Sequence, residues 1–80
     1  MHMVSIGNKL FRAVKAQFIA KKEKAEANLT VYLNSPAGIG EHPGVVDEMV
    51  KLVEEIHDAD GCIGTVDGIV SKVQSVEEEV

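Results

Sequence analysis

The carboxylates best suited to holding a metal ion are Asp58, Asp60 and Asp67. Together with Gly61 they resemble the start of a twelve-residue calcium-binding loop, provided that one inserted residue is allowed. Calcium prefers six to eight oxygen ligands, including a bidentate glutamate near the end of the loop. Apolar residues and glycine stand where that glutamate belongs. The segment is therefore only a weak calcium candidate, and we expect no cofactor.

Two histidines and the single cysteine are the remaining candidates for metal binding or nucleophilic catalysis. His57 and Cys62 are five residues apart, a poor spacing for two ligands on one helix, and His42 lies far from both. No Ser-His-Asp or Cys-His arrangement with an orienting partner can be read from the sequence. A single cysteine also excludes an internal disulfide framework. We therefore expect a protein that is not an enzyme.

The charge divides the 80 residues into two unlike parts. Residues 1–34 carry six basic and two acidic residues, a net charge of +4, whereas residues 35–80 carry two basic and eleven acidic residues, a net charge of −9. A stretch rich in glycine and proline, residues 34–44, separates them and predicts a loop. The pattern favours two segments folded back on each other. With a pI near 5.0 and 4% aromatic residues, nucleic-acid binding is not expected.

The second segment predicts one long amphipathic helix over about 44–75. Its apolar residues alternate at spacings of three and four, as in the a and d positions of a coiled coil. The a positions are Met49, Ile56, Ile63 and Val70, and the d positions are Leu52, Ala59, Val66 and Val73. Gly61, Gly64 and Gly68 lie off this stripe. They leave three interpretations open, namely a weakened helix, an outer face that admits another helix closely, or a break near Asp60.

The first segment predicts a helix over about 8–34 and the loop then covers 35–43. Its apolar stripe consists of Val14, Phe18, Ala25, Leu29 and Tyr32, extended towards the N-terminus by Ile6, Leu10 and Phe11. Residues 21–24 interrupt the stripe with charged side chains that can extend past an apolar surface. Two helices of matched length predict an all-α fold, an antiparallel two-helix hairpin resembling a coiled coil.

The apolar surface is wider than a two-helix hairpin can cover. Val46, Val50 and Val53 flank the second helix on one side of its stripe, and Ile69 and Val76 on the other. A single core in a chain of this length rarely stabilises the fold without help. We therefore expect self-association into a four-helix bundle, or docking on a larger protein. No apolar run approaches the ~20 residues that span a bilayer, so a membrane is not an expected partner.

Residues 24–43 resemble small proteins of tailed bacteriophages, notably marine and cyanobacterial ones, that share a "VYL-N-P-x-GIGEHP" motif. Gly61, Gly64 and Gly68 depart from the family pattern, which usually has charged or helix-favouring residues there. The resemblance implies a setting, either a virion or an infected bacterial cytoplasm, and no particular mechanism. Our leading expectation is therefore a non-enzymatic structural or assembly component. The alternative is a regulator that binds a host protein through the acidic helix. The candidate partner-binding residues are Tyr32, Gly38, Ile39, Gly40, Glu41, His42, Pro43, Val46, Val50, Val53 and Ile69.

Overall fold

Two long helices packed against each other make up the fold. The computed structural model describes residues 2–34 and 44–79, with side chains described over 7–34 and 44–74. Helix α1 is His2–Asn34 and helix α2 is Val45–Glu79. The all-α helical hairpin is thus confirmed. Helix α1 begins upstream of the start expected near residue 8, and α2 continues beyond the end expected near residue 75.

Helix α2 passes without a break through its three glycines. A glycine costs about 1 kcal/mol relative to alanine inside a helix, so the cost is spread over the element and does not break it. The Thr65 hydroxyl donates a 2.9 Å hydrogen bond to the carbonyl oxygen of Gly61, one turn earlier. Ala59 and Val66, on either side of this bond in sequence, are both buried against α1. The interpretation with a break near Asp60 is therefore wrong.

Gly44 forms the entry to α2. Its φ of +132° lies in a region that residues with a side chain rarely adopt. The backbone N–H of Glu48 donates a 3.0 Å hydrogen bond to the carbonyl oxygen of Gly44, which is the first hydrogen bond of the helix. Gly44 is therefore the N-cap residue. Asp47 and Glu48 stand in the first turn, where the helix dipole favours negative charge.

The core of the hairpin is thin. Among the described side chains the buried apolar residues are Ala25, Leu52, Ala59 and Val66, the last three at consecutive d positions of α2. The residues at a in α2, Met49, Ile56, Ile63 and Val70, are half-buried. Val73 was expected at d in the buried stripe but is exposed, because it lies towards the end of the paired region.

The seam of α1 differs from its expected stripe. The residues that face α2 are Asn8, Phe11, Lys15, Phe18, Lys22, Ala25, Leu29 and Tyr32, all buried or half-buried. Their spacings alternate between three and four, as in α2. Leu10 and Val14, which the sequence placed in the stripe, are exposed. Two positions of the seam are instead occupied by lysines, Lys15 and Lys22.

Candidate interaction surface

Two ion pairs join the helices along one flank of the hairpin. Lys15 Nζ lies 2.9 Å from Asp67 Oδ1, and Lys22 Nζ lies 2.8 Å from Asp60 Oδ1. The two lysines are seven residues apart, and so are the two aspartates, so the same antiparallel alignment repeats every two helical turns. The hydrogen bond from the Lys22 ammonium to Asp60, together with the negative charge of Asp60, raises the pKa of Lys22 above its usual value.

The alignment set by these pairs extends in both directions. Asn8 and Gln74, one heptad towards the termini, line the same groove as Lys15 and Asp67. One heptad towards the loop, the same alignment brings Leu29 of α1 level with Val53 of α2. This flank is therefore polar at the end near the termini, ionic at its centre and apolar near the loop.

The apolar end of this flank is open to solvent. Val46, Val50 and Val53, here called the valine flank, are each more than half exposed. Val53 occupies the same heptad position as Asp60 and Asp67, so the valine flank and the ion pairs lie on one side of the hairpin. Leu33 in the last turn of α1 is 62% exposed, and it lies at the same end. This end of the flank thus presents four large aliphatic side chains to water.

The opposite flank carries a shallow groove with a volume of about 400 Å³. Its lining includes Phe18, Lys21, Glu55 and Cys62, and the Lys21 ammonium lies 5.6 Å from the centre of the Phe18 ring. The groove combines an aromatic face with charges of both signs. Ile69, the partner-binding candidate on this flank, is exposed, as the sequence predicted for the second apolar edge.

The calcium candidates do not converge. Asp60 and Asp67 point towards α1 and pair with lysines, whereas Asp58 is exposed and lies 3.7 Å from the Nδ1 atom of His57. Because α2 is continuous from 45 to 79, the backbone carbonyls that a calcium loop would offer are engaged in the helix. Over residues 2–34 and 44–79, no cluster of three or more His, Cys, Asp or Glu residues could hold a metal ion.

The remaining candidates are separated in space. His57 is exposed, whereas Cys62 is a half-buried free thiol on the grooved flank. Five residues on a helix correspond to about 140° of rotation, so the two side chains diverge. Tyr32 is half-buried in the seam. The loop candidates Gly38–Pro43 lie outside the described residues.

The outer face of α2 is strongly acidic. Five acidic residues on this face are exposed, namely Asp47, Glu48, Glu54, Glu55 and Asp58. Two other acidic residues, Asp60 and Asp67, are the ones paired with α1. Asp60 and Asp67 therefore neutralise lysines within the hairpin, whereas the exposed carboxylates of the outer face are available to bind a basic surface.

The two seam lysines are the residues that sequence reasoning missed. A signal was present, because the alternating spacing of three and four runs through Lys15 and Lys22 without a shift.

Neither α1 nor α2 contains an apolar stretch long enough to cross a membrane. Searches of protein-family models, curated proteins and solved structures find no match to this chain.

Proposed function

We propose that this chain is a non-enzymatic helical hairpin that works by binding another protein surface, as a structural or assembly component. The observation that carries the proposal is the valine flank, where three branched aliphatic side chains and the neighbouring Leu33 are each more than half exposed. Contiguous apolar surface of this kind typically marks a site of protein–protein contact.

The dimensions of the hairpin support the same proposal. It measures 61 × 16 × 14 Å and has a radius of gyration of 18.2 Å. A compact domain of 80 residues has a radius of gyration of about 12 Å. A rod that buries so few side chains within itself gains stability when a second surface covers its open flank.

The resemblance of residues 24–43 to small proteins of tailed bacteriophages gives the proposal a biological setting. In that setting the chain is phage-encoded and assembles into the virion. The test is mass spectrometry of purified particles of the phage that encodes the chain. Peptides of the chain at a fixed ratio to the capsid protein are expected, and their absence from washed particles would contradict a virion role.

A second candidate function rests on the acidic outer face of α2. In this alternative the chain regulates a host protein by docking this face on a basic surface. The test compares the native chain with a variant in which Glu54, Glu55 and Asp58 are changed to their amides. In a pull-down from host lysate, a protein retained by the native chain and released by the variant supports the alternative. Equal retention by both argues against it.

A further inference from the structure

The open flank of the hairpin fits a second copy of the same chain. Resting on the proposed function, we infer that two hairpins stack through the flank that carries the valines and the ion pairs, with both loops at the same end. The result is a four-helix bundle in which α1 of each copy lies beside α2 of the other. Three features support it: the area left exposed, the charges of the two helices and the residues brought level with each other.

The exposed area exceeds what a compact monomer would leave. The solvent-accessible surface of the chain is 6173 Å². A compact monomer of 8.6 kDa exposes about 4,700 Å². The excess is about 1,500 Å² per chain, whereas a stable interface of standard size buries about 800 Å² on each partner. The rod as a whole therefore exposes more surplus surface than one partner buries in a dimer interface of standard size.

The charges suit a copy of the same chain. In a stack of two hairpins related by a two-fold axis, each basic α1 has an acidic α2 on both sides, one from its own chain and one from the other. Residues 1–34 carry a net charge of +4 and residues 35–80 a net charge of −9. Like-charged helices meet only across the diagonal of such a bundle, where the separation is greatest.

The choice of end follows from a row of residues on α1. Arg12, Ile19, Glu26 and Leu33 belong to one heptad position next to the seam lysines, and all four are exposed. The alignment of the ion pairs makes Leu33 level with the valine flank, and Arg12 level with the segment around Asp67. With both loops at the same end, Leu33 packs on the valines of the second copy, and Arg12 approaches its Asp67.

The same stacking gives Ile19 a place to pack. Ile19 is level with Gly64 of α2, and an added Cβ at Gly64 would meet nothing within 4 Å of it in the single hairpin. Placing the loops at opposite ends, with the same flanks in contact, would instead set α1 against α1 and α2 against α2 of the second copy. That arrangement brings together two segments of net charge −9 and two of net charge +4, so it is disfavoured.

Sedimentation velocity over a concentration series tests the dimer. The native chain should sediment at twice its 8.6 kDa mass. Val50→Glu and Val50→Lys should each raise the dissociation constant of the dimer at least about tenfold, because each places a charge where the inferred dimer buries an aliphatic side chain. The matched control is Val31→Glu, at a site of similar exposure on another face of the hairpin, and it should leave the dimer unchanged.

Circular dichroism establishes that each variant keeps its helices. A native chain that is monomeric throughout the concentration series overturns the inference. Equal weakening by the Val50 and Val31 variants also overturns it, because the interface then lies elsewhere. A monomer that is nevertheless found in virions would leave the proposed function standing, and a dimer that is absent from virions would contradict only the virion role.

The direction of stacking is tested by measuring one distance between spin labels. Cys62→Ala removes the native thiol, and Asp47→Cys places a label on the exposed outer face of α2 near the loop. With loops at the same end, the two labels should lie about 25–30 Å apart, and with loops at opposite ends about 50 Å apart. A distance near the longer value overturns the inferred arrangement.

Discussion

Replacing two outer glycines of α2 should stabilise the protein markedly. Gly61 and Gly68 are seven residues apart on the face of α2 turned away from α1, and a Cβ added at either one would meet nothing within 4 Å. Each change to alanine removes about 1 kcal/mol of helix-propensity cost. The double variant should therefore gain about 2 kcal/mol. Gly64 stays native because it lies on the inferred dimer interface.

The gain in free energy of unfolding can be expressed as a rise in melting temperature. The entropy of unfolding is about 2.1 cal/mol/K per residue, or about 0.17 kcal/mol/K for 80 residues. A gain of 2 kcal/mol then raises the melting temperature by about 12 °C. The assay is thermal unfolding followed by circular dichroism at one fixed chain concentration, since association also shifts the transition.

Gly44→Ala is the matched control. Gly44 also has open space where a Cβ would lie, but its φ of +132° makes any side chain strained there. The same chemical change should therefore lower the melting temperature. If Gly61→Ala/Gly68→Ala keeps its helix content but does not melt higher than the native chain, the reasoning is refuted. The outer face of α2 would then be in close contact with another surface.

Three further predictions follow from the seam. Asp60→Lys should lower the melting temperature by placing two cations together, and adding Lys22→Asp should recover most of that loss; no recovery would contradict the antiparallel alignment. Leu52→Ala should cost about 2–4 kcal/mol in urea unfolding, because Leu52 is 7% exposed, whereas Val31→Ala, at a residue 62% exposed, should change little. Equal losses would be incompatible with the described seam. The raised pKa of Lys22 means that its contribution to stability is present below pH 10.5 and is lost as the pH rises through the folded-state pKa. Lys22→Arg should reduce this loss of stability at alkaline pH, as measured by unfolding curves over a series of pH values. If the variant and the native chain show the same pH dependence, Lys22 is not the group responsible.

The two helices and the buried stripe of α2 could be predicted from the sequence alone. The alternating spacing that includes Leu52, Ala59 and Val66 is a local property, and the structure buries all three. The concentration of glycine and proline in residues 34–44 is local as well, and α1 ends at Asn34. Such signals depend on residues within a few turns of one another, so they can be read without knowing what the helix packs against.

The seam of α1 could not be read in the same way. Lys15 and Lys22 indicate an exposed face when α1 is considered alone, because lysine is rarely buried without a partner. Their partners, Asp60 and Asp67, are distant in sequence and come into reach only when the two helices adopt one particular alignment. The sequence indicated opposite charges for the two helices, but not which residues meet.

Tertiary packing also decided which apolar residues remain outside the hairpin. Val46, Val50 and Val53 were expected on an open flank and are exposed, whereas Leu10 and Val14 were expected in the stripe and are exposed too. The hydropathy of a residue does not distinguish these cases. The rotation of α1 about its axis brings Lys15 and Lys22 beside their aspartates and buries Ala25, and only the packed pair of helices specifies it.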